Sequence, residues 1–450
     1  MRPSSSGSES LFGPLFGAPE VDAELTGRAW LQAMLDVERG MAMAQAKAGL
    51  MPHTAAEAIA QACTADLFSV ADLAQRALAA GNPVVPLVRD LGARLHADAA
   101  RFVHLGATSQ DVLDTATCLV AGRSLDRILA TLDAAADAAA RLAGEHRGTL
   151  MVGRTLLQQA TPITFGLKCA GWLVALDEAA AWLHRVRRER LAVQYGGAAG
   201  TLAPLGAHGP TVLRLLAGEL GLAEPILPWH TNRVRIGELA SSLGTASGVL
   251  GKIALDLTLL AQSEVAEVAE PGEGGGSSAM PHKRNPVRAV LVSAGCRRVP
   301  GLVATLLAAM AQEHERAAGA WHAEWETMTE LLRLVGGAAT GVRELLQGLN
   351  VNADRMRRNL DAGGDALMTE AVSARLAGQL GRAEAHDLVA RLVDDARAKG
   401  VPVRTTLLED PTVRAHLSTP DIEAALDPGN HLGAAGEFVT RALAAHEERR

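Results

Sequence analysis

The chain has 450 residues, of which 48% are hydrophobic and 21% charged, so it can bury a large core and is long for a single domain. Its 43 basic and 50 acidic residues give a formal net charge of −7, which disfavours a nucleic-acid-binding protein and leaves anionic ligands to be held by local cations. Aromatic residues make up only 3% of the chain while alanine and leucine dominate, and this bias toward helix formers predicts an all-α fold.

The cysteines and the apolar runs bear on the compartment. Four cysteines, Cys63, Cys118, Cys169 and Cys296, lie far apart without metal-ligand spacing, which is typical of free thiols in a reducing environment. The first residues contain no apolar run of signal-peptide type, and no uninterrupted apolar stretch of about 18 residues predicts a membrane span. We therefore expect a cytoplasmic protein without nucleic-acid or membrane partners.

Residues 1–110 predict a small N-terminal helical domain. The first 20 residues or so are rich in serine, glycine and proline and predict an extended arm. Helices should begin near Glu24, where large apolar residues recur at steps of three or four: Trp30, Met34, Val37 and Met41. Glycine and proline at 49–52 and 81–83 then divide the region into short helices.

Residues 111–350 favour long helices, because prolines are widely spaced there. Between Pro228 and Pro271 one apolar stripe recurs at helical spacing, through Leu239, Leu243, Leu250, Ile253, Leu257 and Leu260. It predicts a helix of about 35 to 40 residues, roughly 50 to 60 Å long. Such helices must bury their stripes against one another, so we expect a central elongated bundle. Small residues between Gly237 and Gly251 would let other helices approach closely, including those of other subunits.

The last region differs in the residues that interrupt its helices. Asn350-Val-Asn352 interrupts the helical pattern, and four prolines follow at Pro402, Pro411, Pro420 and Pro428. Residues 351–450 therefore predict a C-terminal small helical domain of short helices joined by turns.

The first stretch with chemical character is His104-Leu-Gly-Ala-Thr-Ser-Gln-Asp111, a glycine turn followed by two hydroxyls and an acid at a helix start. Its spacing alone favours a structural interpretation. Thr108 or Ser109 would be the N-cap, and Asp111 a first-turn acid suited to the helix dipole.

The most unusual stretch is the loop from Pro271 to Val287. Gly274, Gly275 and Gly276 give it backbone freedom, and Ser277, Ser278 and Lys283 follow. Asn285-Pro286 predicts a helix start, with Asn285 as N-cap and Pro286 at the first helical position. The unpaired N–H groups of that helix end, beside Lys283, would make a site for a carboxylate or an enediolate. A plain surface connection before a capped helix has the same composition.

Two further groups of charged residues have structural explanations. His314 and His322 lack the spacing of a zinc-binding helix, so no metal is expected. The basic run from Arg185 to Arg190 is typical of a solvated helix face.

The run Gly276-Ser-Ser-Ala-Met-Pro-His-Lys-Arg-Asn-Pro286 resembles the signature loop of the fumarase/aspartase superfamily. Residues 104–111 resemble the first signature of that superfamily, and Gly153-Arg-Thr-Leu-Leu-Gln158 resembles the second. The resemblance covers essentially the whole chain. It implies three helical domains, a central bundle that forms a homotetramer with shared active sites, a small polycarboxylate substrate, and no cofactor or metal.

One departure from the lyase pattern narrows the resemblance to one group within the superfamily. The lyases usually carry a histidine after Thr155, where this chain has Leu156, and leucine cannot transfer a proton. An apolar residue there is similar to the bacterial 3-carboxy-cis,cis-muconate cycloisomerases, whose pattern also appears in Pro228-Trp-His-Thr231 and in the segment from Gln312 to Trp325. Asn232 and Val234 stand where Gln and Asp would be expected.

Resemblance to the cycloisomerases implies that the chain forms a lactone from 3-carboxy-cis,cis-muconate. This reaction belongs to the protocatechuate branch of the β-ketoadipate pathway. An adenylosuccinate lyase-like C–N lyase is the alternative enzyme, and a non-catalytic structural protein is the alternative of another class. A single ultraviolet assay of the candidate substrates would separate them.

The resemblance also implies roles for individual residues. Ser277 would be the acid/base, with Ser278 in reserve, and Lys283 and Asn285 would stabilise its alkoxide. His104 would orient or protonate the substrate. The expected substrate-binding residues are Thr108, Ser109, Arg154, Thr155, Gln158, Asn232, Ser278, Met280 and Arg284.

Overall fold

The computed structural model describes residues 11–272, 275–276, 279–280 and 282–449. The α-helices, named in chain order, are α1 (Gly13–Phe16), α2 (Pro19–Asp22), α3 (Gly27–Lys47), α4 (His53–Ala62), α5 (Val70–Ala80), α6 (Val84–Ala93), α7 (Ala97–Ala100), α8 (Ser109–Glu145), α9 (Phe165–Arg185), α10 (Gly209–Leu220), α11 (Val234–Leu260), α12 (Val287–Ala308), α13 (Ala320–Gln347), α14 (Ala353–Ala362), α15 (Thr369–Leu380), α16 (Arg382–Lys399), α17 (Val403–Glu409), α18 (Pro411–His416), α19 (Thr419–Leu426) and α20 (Ala435–Glu447).

The strands are short and pair only in twos. They are β1 (Leu150–Thr155), β2 (Gln158–Thr164), β3 (Val268–Ala269), β4 (Gly275–Gly276), β5 (Arg284–Asn285) and β6 (Asn350–Val351). The pairs β1–β2, β3–β6 and β4–β5 are all antiparallel. Helices account for 71% of the structure, so the all-α fold predicted from composition is confirmed.

The chain divides into two compact units. The first contains the described residues up to 133, with 178–252 and 291–342; the second contains 134–177, the described part of 253–290, and the described residues from 343 on. The boundaries fall inside five helices, α8, α9, α11, α12 and α13. The three domains proposed from the sequence, with boundaries near 110 and 350, stay a prediction.

In the first unit, helices begin before the expected start near Glu24, because α1 and α2 lie in or beside the stretch predicted as an extended arm. Helix α3 begins slightly after that point. Thr26 is its N-cap, and the Thr26 side chain accepts a hydrogen bond from Ala29 N at 3.1 Å. The apolar stripe of α3 packs against α4 and α10. Its buried members include Leu31, Leu35, Val37 and Met41.

Two of the long intervals without proline gave different outcomes. Helix α8 has 37 residues and lies between Pro86 and Pro162, where the sequence permits a long helix. Helix α11 has 27 residues, so the predicted length of 35 to 40 was wrong for that interval. The chain turns back after Leu260, where Glu267 N donates to Leu260 O at 2.9 Å.

Helices α11 and α12 pack closely through glycines spaced by seven residues. The facing pairs in the first unit are Gly237 with Met310, Gly244 with Val303, and Gly251 with Cys296. A Cβ added to Gly244 would lie 3.0 Å from Val303 Cγ2, which leaves little room for any side chain. Three of the small residues noted in the sequence therefore serve packing within the chain.

Helices α11 and α12 are also long and apolar enough to cross a membrane, by length and composition alone. Helices in the core of a bundle have the same composition. Only 22% of the most apolar window of α12 is buried, compared with 44% for α11. Apolar side chains therefore remain on the surface of the chain, among them Val290 and Leu307.

In the second unit, the β1–β2 hairpin was not expected from the sequence. The C-terminal helices form their own core, which includes Val372, Leu376, Leu388, Leu407 and Ile422. Helix α20 is attached by His446, whose ring nitrogens lie 3.0 Å from Asp137 Oδ1 and 3.1 Å from both carboxylate oxygens of Asp177.

Candidate active site

In the first unit, Asp111 gathers the residues of the first signature. This fully buried carboxylate accepts hydrogen bonds from the backbone N–H groups of Thr108, Gly196 and Gly197 at 2.9 to 3.0 Å. His230 Nε2 lies 2.7 Å from Asp111 Oδ1. Because a buried carboxylate is costly unless its oxygens are satisfied, these donors fix three separate segments against one another.

Thr108 and Ser109 lie at the N-terminus of α8, as the N-cap interpretation requires. The Thr108 hydroxyl, however, accepts a hydrogen bond from Arg316 Nη1 at 2.6 Å. Arg316 lies on the connection between α12 and α13, which is held by a hydrogen bond of 3.0 Å from Thr231 Oγ1 to His314 O. A guanidinium, a hydroxyl and a helix N-terminus therefore converge, and together they suit a carboxylate.

Sequence reasoning missed Arg316. It lies inside the segment from Gln312 to Trp325, whose pattern is similar to that of the cycloisomerases. The spacing of the residues there does not predict a contact with Thr108, which is 208 residues away.

His104 is paired with an acid from α3. Its Nδ1 lies 2.6 Å from Oε1 of Glu38, whose side chain is only 1% exposed. Burial alone would lower the pKa of the His104 imidazole, but the Glu38 carboxylate outweighs burial and raises that pKa. The arrangement favours the protonated ring, which can donate a proton or a charged hydrogen bond.

Tyr195, the single tyrosine of the chain, holds the turn that carries His104. Its hydroxyl donates to Leu105 O at 2.7 Å and accepts from Gln45 Nε2 at 2.7 Å. This buried contact restrains the backbone next to His104.

A buried ion network supports the same region. Arg233 donates to both oxygens of Asp114, at 2.8 and 3.0 Å, and its Nε donates to Glu324 Oε1 at 3.0 Å. Trp321 Nε1 donates to Asp114 Oδ1 at 3.0 Å. Burial raises the pKa of the Glu324 carboxyl to about 7, although the charge of Arg233 opposes it. The tryptophan-flanked pattern seen in the sequence thus belongs, at least through Trp321 and Glu324, to this structural network.

Asn232 lies beside the network without joining it. Its side chain is exposed, and its Oδ1 accepts from Val234 N at 3.4 Å. Its expected contact with substrate stays a prediction.

In the second unit, the second signature forms the β1–β2 hairpin. Arg154 donates through both terminal nitrogens to Glu267, at 3.0 and 2.7 Å, and the Glu267 side chain is fully buried. Asn359 Nδ2 donates to Glu267 as well, at 2.8 Å. The Arg154 guanidinium is therefore neutralised by its own chain in this structure, and its expected contact with substrate stays a prediction.

The hairpin tip is both strained and apolar. Leu156 and Leu157 have φ of 51° and 66° and are 97% and 73% exposed. Positive φ at both positions is the geometry of a type I′ turn, which favours Asn-Gly and costs other residues roughly 1–2 kcal/mol each. Thr155 and Gln158 flank the tip, pair with each other, and are exposed.

The signature loop that ends at Pro286 differs from the expectation at its helix start. Helix α12 begins at Val287, and the Pro286 carbonyl accepts its first intrahelical hydrogen bond, from Val290 N at 3.0 Å. Asn285 is therefore not the N-cap. Its amide donates to Gly275 O at 3.2 Å, because Asn285 belongs to β5, which pairs with β4.

The sequence predicts unpaired N–H groups at the N-terminus of α12, but in the structure these groups have an acceptor. The Glu270 carboxylate accepts from Arg288 N at 3.1 Å and from Ala289 N at 2.7 Å. The N–H groups expected to receive an external anion are thus occupied by an internal one.

The other predicted site residues of this loop are Ser277, Ser278, Met280, Lys283 and Arg284. Ser277 and Ser278 lie outside the described residues. Met280, Lys283 and Arg284 are exposed. A cavity of about 840 Å³ in the second unit is lined by Glu270, Arg284, Asn285, Asn350, Asn352 and Asp354, among others.

The predicted residues thus fall into two described groups. The first unit brings together His104, Thr108 and Ser109, with Arg316 added. The second unit carries Arg154, Thr155 and Gln158 on the hairpin, and Met280, Lys283, Arg284 and Asn285 on the loop. In the described ranges, no group of three or more His, Cys, Asp or Glu side chains is arranged to hold a metal ion.

Comparisons with known proteins agree on a family. A family model described as lyase matches residues 17–301, and one described as adenylosuccinate lyase C-terminus matches residues 365–442. The chain is 46% identical over 444 residues to 3-carboxy-cis,cis-muconate cycloisomerase of Pseudomonas aeruginosa, covering 98% of this chain and 97% of that protein. It is 44% identical over 450 residues to nitrosuccinate lyase of Streptomyces davaonensis, with 96% and 94% covered.

A solved structure gives the same result. The crystal structure of 3-carboxy-cis,cis-muconate lactonizing enzyme from Pseudomonas putida matches with a TM-score of 0.91 at 45% identity, covering 97% of this chain and 99% of that chain.

The Glu324 carboxyl should make stability depend on pH. Its folded-state pKa of about 7 exceeds the ordinary 4.5, so the folded protein binds this proton more tightly than the unfolded chain. The resulting stability is fully present below about pH 4.5 and is lost as pH rises through about 7. Glu324→Gln should remove this contribution, at most about 3 kcal/mol, from the pH profile of the free energy of unfolding in urea.

The matched control is Glu326→Gln, at an exposed position on the same helix. It should leave the wild-type profile unchanged. A Glu324→Gln profile parallel to that of the wild type between about pH 5 and 8 would contradict this assignment.

Proposed function

Because the chain belongs to the fumarase/aspartase superfamily of lyases, we propose that it is a cycloisomerase that converts 3-carboxy-cis,cis-muconate to 4-carboxymuconolactone. The observation that carries the proposal is the identity with a cycloisomerase along nearly the whole of both chains. Leu156, at the hairpin tip, adds to it, because this position offers no group for proton transfer. The reaction belongs to the breakdown of protocatechuate.

The substrate carries three carboxylates, so the enzyme must offer several donors and cations. We assign one carboxylate to Thr108, Ser109 and Arg316, where hydroxyls, a guanidinium and the N-terminus of α8 meet. The net charge of −7 makes such local cations necessary. His104, held by Glu38, is a proton or hydrogen-bond donor on the same unit.

The proposed reaction is an anti addition. One carboxylate oxygen of the substrate forms a C–O bond to one carbon of the double bond. The displaced electron pair moves to the other carbon and into the carboxylate attached to it, which gives an enediolate. Ser277 then gives its proton to that carbon and is reprotonated from solvent. Lys283 and Asn285 would stabilise the negative charge on the serine oxygen and on the enediolate.

We also propose a cytoplasmic homotetramer whose active sites are shared between subunits, as the superfamily resemblance implies. The strained apolar tip at Leu156 and Leu157 supports it, since another subunit would cover side chains now in solvent. Exposed apolar residues on α12, such as Val290, support it in the same way. The buried free thiols Cys63, Cys118 and Cys169 suit a reducing compartment.

A second candidate is a lyase acting on nitrosuccinate, favoured by 44% identity to an enzyme of that name. Both candidate substrates are small polyanions, and the carboxylate site at Thr108 and Arg316 would suit either. Direct turnover measurements are needed to separate them.

The first test is a substrate panel. The purified protein should remove the ultraviolet absorbance of the conjugated diene in 3-carboxy-cis,cis-muconate. Nitrosuccinate, adenylosuccinate and argininosuccinate should each have a kcat/KM lower by about 10²-fold or more. A higher kcat/KM for nitrosuccinate would overturn the proposal and favour the second candidate.

The second test concerns the acid/base. Ser277→Ala should lower kcat by about 10²- to 10⁴-fold, because general acid–base catalysis is lost. The circular dichroism spectrum and the calorimetric Kd for substrate should stay unchanged. Substantial remaining activity would remove Ser277 from this role, and Ser278→Ala, assayed in parallel, would show whether the neighbouring hydroxyl has it.

The third test concerns Arg316. Arg316→Ala should raise KM by about 10- to 100-fold, the loss of one hydrogen bond to a charged group, with a smaller change in kcat. Arg316→Lys should have a KM between those of the wild type and Arg316→Ala, because lysine keeps the charge of arginine but not its planar, two-pronged donor geometry. Arg391→Ala, at an exposed position on α16, is the control. An unchanged KM in Arg316→Ala would exclude the assigned contact.

A further inference from the structure

The loop between β3 and α12 has its two ends joined by a single side chain. Glu270 is the last residue before the loop, and its two carboxylate oxygens accept from the backbone N–H groups of Arg288 and Ala289, at 3.1 and 2.7 Å. The carboxylate therefore spans 18 and 19 residues of sequence to bind the first turn of the next helix.

The backbone of Glu270 is itself held in place. Its neighbour Ala269 pairs with Asn350 in the β3–β6 ladder, and Asn350 Nδ2 donates to Glu270 O at 3.3 Å. Pro271 then packs against Gly348, where an added Cβ would lie 2.6 Å from the proline ring. The carboxylate thus acts from a fixed position on the first turn of α12.

Local residues do not provide this cap. Pro286 has no side-chain acceptor, and the Asn285 amide is directed at Gly275 O. The first N–H groups of a helix need an acceptor, and an anion is favoured there by the helix dipole. Glu270 supplies both properties from the other end of the loop.

We propose that Glu270 is a positioning residue for the reaction, because its carboxylate fixes the start of α12 and with it the preceding segment, in which Lys283 is followed by β5 and Asn285. The inference rests on the proposed function, in which these two residues stabilise developing negative charge. Without the carboxylate, the first turn of α12 frays and the β4–β5 pairing loses its anchor. A displacement of about 1 Å at such groups is enough to cost on the order of 10²-fold in rate.

The expected kinetic signature is a change in kcat. The proposed carboxylate subsite at Thr108 and Arg316 shares no residue with the Glu270 contacts, so substrate binding there should persist. Glu270→Ala should therefore lower kcat by about 10- to 100-fold and change KM by less than about threefold. Glu270→Gln, which keeps an acceptor without the charge, should recover part of the loss.

Chemical rescue separates positioning from a general loss of stability. Glu270 lines an open cavity of about 840 Å³, so a small carboxylate can reach the N–H groups that the alanine variant leaves unpaired. Added acetate should restore kcat of Glu270→Ala in a saturable way and leave the wild type unaffected. Asp354→Ala is the matched control, since Asp354 is an exposed acid lining the same cavity.

Hydrogen exchange gives a readout that does not depend on activity. The amides of Arg288 and Ala289 should exchange faster in Glu270→Ala than in the wild type and slow again with acetate, while those of Asp354→Ala should match the wild type.

The outcomes of these experiments separate a failure of the inference about Glu270 from a failure of the proposed function. A wild type active on 3-carboxy-cis,cis-muconate beside a Glu270→Ala variant with unchanged kcat would overturn the inference. A loss of kcat that acetate does not restore, with a lowered melting temperature, would overturn it too, because that is the result of a purely structural role. A wild type inactive on every candidate substrate would instead defeat the proposed function, and hydrogen exchange would still report whether Glu270 holds the helix end.

Discussion

A buried or partly buried carboxylate needs donors for its oxygens, and this requirement organises the segments that carry the signature motifs in both units. In the first unit Asp111 draws its donors from the first signature, from the glycine turn at 196–197 and from His230. In the second unit Glu267 draws its donors from the hairpin and from Asn359. An unsatisfied carboxylate in such a place costs several kcal/mol, so each acid specifies the relative position of the segments that bind it.

Buried acids also limit which cations are available to a substrate. Arg154 was expected from the sequence to bind substrate, yet it is engaged by a buried acid, and so is the buried Arg233. Arg316 differs, because its observed partner is the hydroxyl of Thr108 and not a carboxylate. A guanidinium bonded to a neutral hydroxyl keeps its charge uncompensated at that contact, which is the electrostatic condition for holding an anion.

Composition was sufficient to predict the helical fold, and proline spacing to predict that long helices are permitted where α8 lies, because these depend on local propensity summed over many residues. The hairpin was missed because Leu156-Leu157 lacks the Asn-Gly signal of a type I′ turn. The helix start predicted at Asn285 was wrong because Asn285 pairs in β5, and the Glu270 carboxylate accepts from the first N–H groups of α12 in its place. The partners of Glu270 and Arg316 lie 18 to 208 residues away, and such pairings depend on tertiary structure that residue spacing does not encode.

Occupation of the α12 N-terminus changes the electrostatics expected for the proposed acid/base. A free helix N-terminus is equivalent to roughly half a positive charge, whereas a carboxylate bound to it adds a full negative one, so their sum is negative. That helix end therefore does not assist a serine alkoxide while Glu270 holds it. The stabilising potential has to come from the cationic part of the loop, with Lys283 as its ammonium. The contribution of Glu270 is then geometric, because it fixes the place from which that charge acts.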